Sequence, residues 1–320
     1  MILELLKTIS LLIIGLILLI KFSDIFVEAA SSLSTSLKVP KMLIALTVAS
    51  FGTCAPELAI SFNSISSGNP DMTLANVIGS SIVNILLIVG IAAIVRPIKV
   101  KERTIKKELP ILVIITVAFF ILLSDMLFKK GAVNTLTRAD AIMLLCWFIL
   151  FMFYIIGILR KNKKDEQEVP KFTLKKSILL IIISLIVIIV SSDLVVDNAI
   201  ILAERIGISQ KIIAMTIIVI GTSLPELTMT VNAARKNEFD MAVGNIIGTN
   251  IFNICIVLGL PITIYGTISS TAFNLVDSCI VLLSAIMFYI CGKSEKELSR
   301  REGILMVSLF LIYYLYIFLI

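Results

Sequence analysis

Ten apolar runs dominate the sequence, and each is close to the roughly twenty residues that an α-helix needs to cross a lipid bilayer. Hydrophobic residues make up 58% of the 320 residues and charged residues only 16%, so a water-soluble fold has too little interior to bury them. The sequence therefore predicts an all-α polytopic membrane protein with ten transmembrane helices. The runs lie at residues 8–30, 40–62, 72–95, 108–128, 138–159, 174–200, 210–234, 241–264, 272–291 and 303–319.

The composition also excludes several classes of function. The chain has no histidine, which removes the commonest zinc ligand and every Ser-His-Asp or Cys-His relay. Its five cysteines form no Cys-x-x-Cys pair, and they are interpreted as free thiols. No nucleophile with a partnering base is evident, so we expect neither an enzyme nor a cofactor. The basic residues lie in short loops, which is not typical of a nucleic-acid interface.

Lys and Arg are distributed unevenly among the loops. Most of them lie in the first, third, fifth, seventh and ninth loops, and few lie in the other four. Positive charge marks the cytoplasmic side of a membrane protein. The odd-numbered loops are therefore predicted to be cytoplasmic, with both termini outside the cell membrane.

An internal repeat relates the two halves of the chain at a constant offset of 169 residues. The motif GTCAPE at 52–57 recurs as GTSLPE at 221–226, and NVIGSSIVNI at 76–85 recurs as NIIGTNIFNI at 245–254. The repeat unit holds five spans, and an odd number means that the second copy enters the membrane from the opposite side. We predict inverted halves at 1–160 and 174–320, joined by a cytoplasmic hinge loop at 161–173.

Each first motif predicts a broken helix that carries a carboxylate. Pro56 and Pro225 lack an N–H group and crowd the carbonyl four residues earlier, so that carbonyl leaves the helical ladder. Glu57 and Glu226 follow directly, and an ionised carboxylate at the centre of a membrane helix costs about 2.5–3.5 kcal/mol. A protonated or ion-paired glutamate in helix packing is the structural alternative. No Lys or Arg is expected at the same depth, which favours a functional site.

Each second motif places a polar stripe along one face of a helix, because its residues are spaced four apart. Such a stripe can also be interhelical hydrogen bonding alone. Asp71 and Asp240 begin the two helices, where they either stabilise the helix N-terminus or attract ions to a vestibule. The stripes comprise Asn76, Ser80 and Asn84 in the first copy and Asn245, Thr249 and Asn253 in the second.

Together, the motifs supply carboxylate, hydroxyl, amide and carbonyl oxygens, with one thiol, Cys54. Oxygen-rich sites of this kind suit Ca²⁺ and other hard cations, whereas sulfur and nitrogen select transition metals. Two glutamates carry a formal charge of −2, which one Ca²⁺, two or more Na⁺ or two protons can neutralise. This equivalence is a physical basis for exchange.

In these motifs the sequence resembles the cation/Ca²⁺ exchanger superfamily, and the prokaryotic sodium/calcium exchangers in particular. The resemblance covers essentially the whole chain and implies the sodium/calcium exchanger fold, with ion sites formed by helices 2, 3, 7 and 8. It implies that Glu57 and Glu226 bind Ca²⁺ with the carbonyls of Thr53 and Thr222. The positions that match the family's sodium ligands are Ser50, Cys54, Ser80, Val219 (through its backbone), Ser223 and Thr249, with Asn84 and Asn253 flanking the centre.

Two departures from the family pattern affect the expected ion coupling. Cys54 stands where the family usually has Ser, and a thiol is a poor Na⁺ ligand. Asn253 stands where several members have Asp, which leaves the site charge at −2 and argues against K⁺ co-transport. We expect a Na⁺/Ca²⁺ antiporter that functions as a monomer in the lipid bilayer, with Na⁺ and Ca²⁺ as its transported partners. An H⁺/Ca²⁺ antiporter is the alternative.

Overall fold

The chain folds into helices that follow the apolar runs. The computed structural model describes residues 2–125, 134–161, 169–205, 207, 219–270 and 275–319. The helices are α1 (Ile2–Leu37), α2 (Lys41–Thr53), α3 (Ala55–Ser66), α4 (Pro70–Val95), α5 (Glu102–Lys106), α6 (Glu108–Leu122), α7 (Arg138–Lys161), α8 (Leu174–Arg205), α9 (Val219–Thr222), α10 (Leu224–Arg235), α11 (Phe239–Tyr265), α12 (Leu275–Ser294) and α13 (Arg300–Leu319). The start of the predicted seventh span, residues 210–218, lies outside the described residues.

Both predicted helix breaks are present. Helices α2 and α3 meet at Cys54 with a bend of 44°, and the backbone there has φ −81° and ψ 0°. The second break is at Ser223, between α9 and α10, with φ −92° and ψ 7°. In each case a proline follows within the first two residues of the next helix. Proline is tolerated there because those N–H groups have no intrahelical acceptor.

In the described residues, three stretches of π-helix interrupt the α-helical ladder. They are Ala45–Ala49 in α2, Val83–Val89 in α4 and Asn253–Leu258 in α11. The last two lie at matching places in the two copies of the repeat. Short π-helical stretches occur frequently at functional sites, and these adjoin the predicted site residues.

Helices α4 and α11 form the centre of the molecule. In the most apolar segment of each helix, about 78% of α4 and 83% of α11 is buried inside the protein. The buried share is 17% for α1 and 33% for α8. Six described helices, or seven if α2 and α3 are one bent span, are long and apolar enough to cross a membrane. The polar stripes thus lie on the two best-buried helices, while the outer helices expose apolar side chains suited to lipid.

Among the residues that the structure describes, two small antiparallel sheets mark the two ends of the helical core. Strand β1 (Ile98–Lys99) pairs with β4 (Glu297–Leu298), and β2 (Asn134–Leu136) pairs with β3 (Ile268–Ser270). We call these ends the β1–β4 face and the β2–β3 face. The first lies at the C-terminal end of α4, and the second at the C-terminal end of α11.

Candidate ion site

The site is built around the two helix breaks. Glu57 is in the first turn of α3 and Glu226 is in the first turn of α10, so both carboxylates lie at helix N-termini, where the helix dipole favours negative charge. Each residue is only 1% exposed. The first break also packs against the second copy, because Ser50 and Cys54 contact backbone carbonyls of α11. The sequence motifs therefore converge on one buried location.

Helix α2 packs closely against α11 at this location. The Ser50 hydroxyl lies 2.8 Å from the carbonyl oxygen of Ala45 and 3.2 Å from that of Asn245. The Cys54 thiol lies 3.8 Å from the Thr249 carbonyl oxygen. A Cβ atom on Gly248 would come within 2.2 Å of the Ser50 hydroxyl oxygen, so glycine is needed for this approach.

Most of the predicted site residues are buried together. Thr222 is partly buried, and Val219 begins α9 with its backbone at the second break. When a polar side chain on a membrane helix is fully shielded from lipid, it faces other protein groups or an ion path. The fully buried members, besides the two glutamates, are Ser50, Thr53, Cys54, Ser80, Asn84, Ser223, Thr249 and Asn253.

Many buried polar atoms here have no hydrogen-bond partner among the described residues. They include both carboxylate oxygens of Glu57 and of Glu226, and both amide atoms of Asn84 and of Asn253. The hydroxyls of Ser80, Ser223 and Thr249 share this property. Unpaired buried polar groups are rare in proteins because each one costs free energy, so a cluster of them indicates a ligand.

Neighbouring side chains hold the broken backbone in place. Asn76 donates its amide to the Glu57 carbonyl oxygen at 3.3 Å, and Asn245 donates to the Thr230 hydroxyl at 3.1 Å. The Gly221 carbonyl, which Pro225 cannot bond, accepts a hydrogen bond from Ser192 at 3.0 Å. These contacts orient the site without using the unpaired oxygens.

The chemistry of the site is that of oxygen ligands. Among the described residues, no Lys or Arg forms an ion pair with Glu57 or Glu226. Within the same part of the chain, no three His, Cys, Asp or Glu side chains converge as a metal cluster. A cation at this place would depend on the two carboxylates together with hydroxyl, amide and backbone oxygens, which is a donor set for hard cations.

Sequence reasoning missed two residues that continue the site. Ser61 lies one helical turn after Glu57 on the same face of α3, and Thr73 donates to its carbonyl oxygen from α4 at 3.4 Å. Both are fully buried. The signal was available, because Ser61 and Thr230 are both hydroxyl residues at repeat-equivalent positions four residues after the glutamates.

The fold and site together define a multi-pass membrane transporter. The sequence profile described as "Sodium/calcium exchanger protein" matches residues 7–157 and 176–319. The chain belongs to the sodium/calcium exchanger family, whose members are transporters and not enzymes.

Relatives and solved structures agree with this assignment. The chain is 36% identical over 315 residues to the inner membrane protein YrbG of Escherichia coli, covering 95% of this chain and 94% of the relative. It is 27% identical to the sodium/calcium exchanger MaX1 of Methanosarcina acetivorans, covering 97% and 98% of the two chains. A structure of the sodium-calcium exchanger NCX_Mj soaked with 10 mM Na⁺ and 10 mM Sr²⁺ superposes with a TM-score of 0.82 at 29% identity, covering 96% and 97%. The exchanger fold expected from the sequence is therefore confirmed.

Proposed function

We propose that this protein is a secondary active antiporter that exchanges Na⁺ for Ca²⁺ across the cell membrane by alternating access. The supporting observation is the pair of buried, unpartnered carboxylates, Glu57 and Glu226. One Ca²⁺ neutralises both charges, and so do two or more Na⁺. Either ion neutralises the buried carboxylates, so Ca²⁺ leaves when Na⁺ binds and Na⁺ leaves when Ca²⁺ binds.

The unpartnered oxygens support distinct roles within the site. We propose that Glu57 and Glu226 are the central Ca²⁺ ligands, assisted by the backbone carbonyls of Thr53 and Thr222 beside the two breaks. Asn84 and Asn253 flank them at the start of the π-helical stretches of α4 and α11. The proposed sodium ligands are Ser50, Cys54, Ser80, the Val219 carbonyl, Ser223 and Thr249.

The pairing of the small strands supports ten spans in two inverted halves. Strands β1 and β4 follow the third and ninth predicted spans, and β2 and β3 follow the fourth and eighth. In a ten-span protein, loops three and nine lie on one side and loops four and eight on the other. The observed pairs, β1 with β4 and β2 with β3, agree with that parity. We retain 1–160 and 174–320 as the halves and 161–173 as the hinge.

Ion pairs at the β1–β4 face support its assignment to the cytoplasm. Lys41 pairs with Glu238 at 3.0 Å and Lys101 pairs with Asp240 at 2.7 Å, both between the two predicted halves. These lysines belong to loops that the positive-inside rule places in the cytoplasm. Both termini would then be extracellular. Since one chain supplies both copies of the motif, the proposed functional unit is a monomer.

Proton coupling is the second candidate. Two protons can also neutralise Glu57 and Glu226, and the thiol of Cys54 occupies a position where a hydroxyl would serve Na⁺ better. Cys54 is fully buried beside Thr249, which keeps this alternative open.

The test uses purified protein in proteoliposomes. An outward Na⁺ gradient should drive uptake of radioactive Ca²⁺, and a protonophore at fixed voltage should leave the rate unchanged. Uptake driven by a pH gradient without Na⁺ would favour the proton-coupled antiporter. Absence of Ca²⁺ uptake under both gradients would overturn both candidates.

A further inference from the structure

A buried polar cleft leads from Glu57 towards the β2–β3 face. We define the α3–α4 cleft by Ser61, Ser64, Thr73 and Asp71. Ser61 and Thr73 are completely buried and Ser64 is 4% exposed. Asp71 is in the first turn of α4, beside the loop 67–69 that joins the two helices. These four residues place side-chain oxygens on α3 and the start of α4, beginning one helical turn from the carboxylate.

Two oxygens in this cleft are unpartnered within the described part of the chain. They are the Ser61 hydroxyl and the Oδ1 atom of Asp71, and both atoms are buried. The Thr73 hydroxyl donates to the Ser61 carbonyl, which leaves the Ser61 hydroxyl itself unused between the helices. A buried hydroxyl without a partner carries a desolvation cost that a cation or water would relieve.

The repeat supplies an internal control for this cleft. The positions equivalent to Ser61, Ser64, Thr73 and Asp71 are Thr230, Ala233, Ala242 and Asp240. In the second copy, therefore, two of the four oxygen-bearing side chains are alanines. The remaining hydroxyl, on Thr230, accepts a hydrogen bond from Asn245.

The acidic residues at the two outer ends also differ. Asp240 forms an ion pair with Lys101 at 2.7 Å, and the adjoining Glu238 pairs with Lys41. Among the described residues, Asp71 has no ion pair. An unpaired carboxylate at the mouth of a buried polar cleft raises the local concentration of cations.

We propose that the α3–α4 cleft is a staging site for a hard cation, Ca²⁺ or Na⁺, between the β2–β3 face and Glu57. Asp71 attracts the hydrated ion, and Thr73, Ser64 and Ser61 replace its water ligands one at a time before it reaches the carboxylate. The second copy has no such site on the β1–β4 face. Ion entry is therefore chemically asymmetric although the central ligands are symmetric. The proposal rests on the antiporter function.

The test measures apparent ion affinity separately at the two faces, in vesicles that hold the protein in one orientation. Replacing Ser61→Ala together with Asp71→Asn should raise the half-saturating Ca²⁺ concentration at the β2–β3 face about threefold to tenfold, since the first change removes a hydroxyl oxygen and the second removes a negative charge. The value at the β1–β4 face should change less than about twofold. Ser61→Thr alone, which copies the second repeat and keeps the hydroxyl oxygen, should leave the half-saturating Ca²⁺ concentration at its wild-type value.

Ser66→Ala, which removes an exposed hydroxyl from the same helix α3, is the matched control and should leave the β2–β3 value unchanged. Equal shifts at both faces, or no shift at either, would overturn the staging site. If the double variant does not fold, Asp71→Asn alone provides the same comparison, because Asp71 lies at a helix end. Failure of the antiporter proposal is distinguishable, because wild-type protein would then show no Na⁺-dependent Ca²⁺ flux.

Discussion

Helices α3 and α4 carry the first copy of the repeated motifs, and helices α10 and α11 carry the second. Helices α3 and α10 each have twelve residues, begin at a break and place a glutamate in their first turn. Helices α4 and α11 both contain a π-helical stretch that includes an asparagine whose side-chain amide has no partner within the described part of the chain. Near the centre of the molecule, the two copies have nearly the same local structure.

Away from the centre, the two copies diverge. In the first copy, the α3–α4 cleft lies between the glutamate and the outer end of the helices. In the second copy, two of the equivalent positions are alanines, and the outer end holds the ion pairs Lys101–Asp240 and Lys41–Glu238. This difference indicates that the ion ligands and the approaches to them are under separate constraints. Shared ligands require chemical equivalence at the centre, whereas each face meets a different solution and can differ.

The equivalence at the centre predicts equal, large effects of removing either carboxylate. Glu57→Gln and Glu226→Gln should each reduce Na⁺-driven Ca²⁺ flux at least about a hundredfold, equivalent to about 2.7 kcal/mol, because each removes half the charge that balances Ca²⁺. Radioactive Ca²⁺ uptake into proteoliposomes measures the effect. Strongly unequal losses would show that the two copies are not equivalent ligands, and wild-type flux in either variant would contradict the site.

Glu108→Gln is the matched control for burial of a glutamate. Glu108 is also 1% exposed, but Tyr154 donates to it at 2.5 Å and Arg103 lies 3.4 Å away. Its contacts are therefore structural and lie outside the ion site. The variant should retain Ca²⁺ flux even if its thermal stability falls, which separates loss of charge at the site from general damage to the fold.

The sequence predicted the two helix breaks because proline, glycine and carboxylate in one apolar helix have few structural explanations, while the ion ligands stay predictions. Pro56 and Pro225 predicted the breaks at Cys54 and Ser223, and the four-residue spacing predicted which side chains share a face. Ten spans and their inverted arrangement stay predictions.

The π-helical stretches could not be predicted from the spacing. A single extra residue in a helical turn is determined by packing against neighbouring helices, and apolar runs such as Val83–Val89 carry no local signal for it. The α3–α4 cleft was missed for a different reason. The sequence shows hydroxyl residues at the repeat-equivalent positions 61 and 230, but only the packing of α3 against α4 shows that the Ser61 hydroxyl is buried without a partner among the described residues.

A second prediction concerns the glycines that follow the π-helical stretches of α4 and α11. Gly90 and Gly259 are repeat-equivalent, but a Cβ on Gly90 would lie 2.9 Å from the Gly303 carbonyl oxygen, whereas on Gly259 the closest atom would be 3.2 Å away. Gly90→Ala should therefore destabilise the protein by about 1–3 kcal/mol through overpacking. Gly259→Ala should change stability less, because the gain in helix propensity of about 1 kcal/mol offsets the tighter contact. Thermal unfolding in detergent measures both.

The order of the two midpoints decides this prediction. Wild type and Gly259→Ala should unfold at similar temperatures, with Gly90→Ala clearly lower. A lower midpoint for Gly259→Ala than for Gly90→Ala would mean that α11 packs more tightly against α7 than α4 does against α13, the reverse of the observed contacts.

The smallest expected effect comes from a site position where one copy has a sulfur atom and the other has a hydroxyl oxygen. Cys54 in the first copy corresponds to Ser223 in the second, and both are buried at the helix breaks. Cys54→Ser replaces a weak sulfur ligand with an oxygen, so the Na⁺ concentration for half-maximal Ca²⁺ efflux should fall about twofold to threefold. Ser223→Cys should raise it. Ca²⁺ affinity should change less in both, because Ca²⁺ depends mainly on the two glutamates.

Chemical labelling gives an independent measure of the same position. If Cys54 faces the ion path, a small water-soluble thiol reagent should modify it whenever the path opens, and bound Na⁺ or Ca²⁺ should slow that modification by favouring closed states. Cys255, which is also fully buried but lies in the π-helical stretch of α11, is the control and should label slowly under all conditions. The thiol would point away from the path if Cys54→Ser left the Na⁺ concentration for half-maximal efflux unchanged and if neither ion changed the rate of labelling. The difference between Cys54 and Ser223 would then have no part in ion binding.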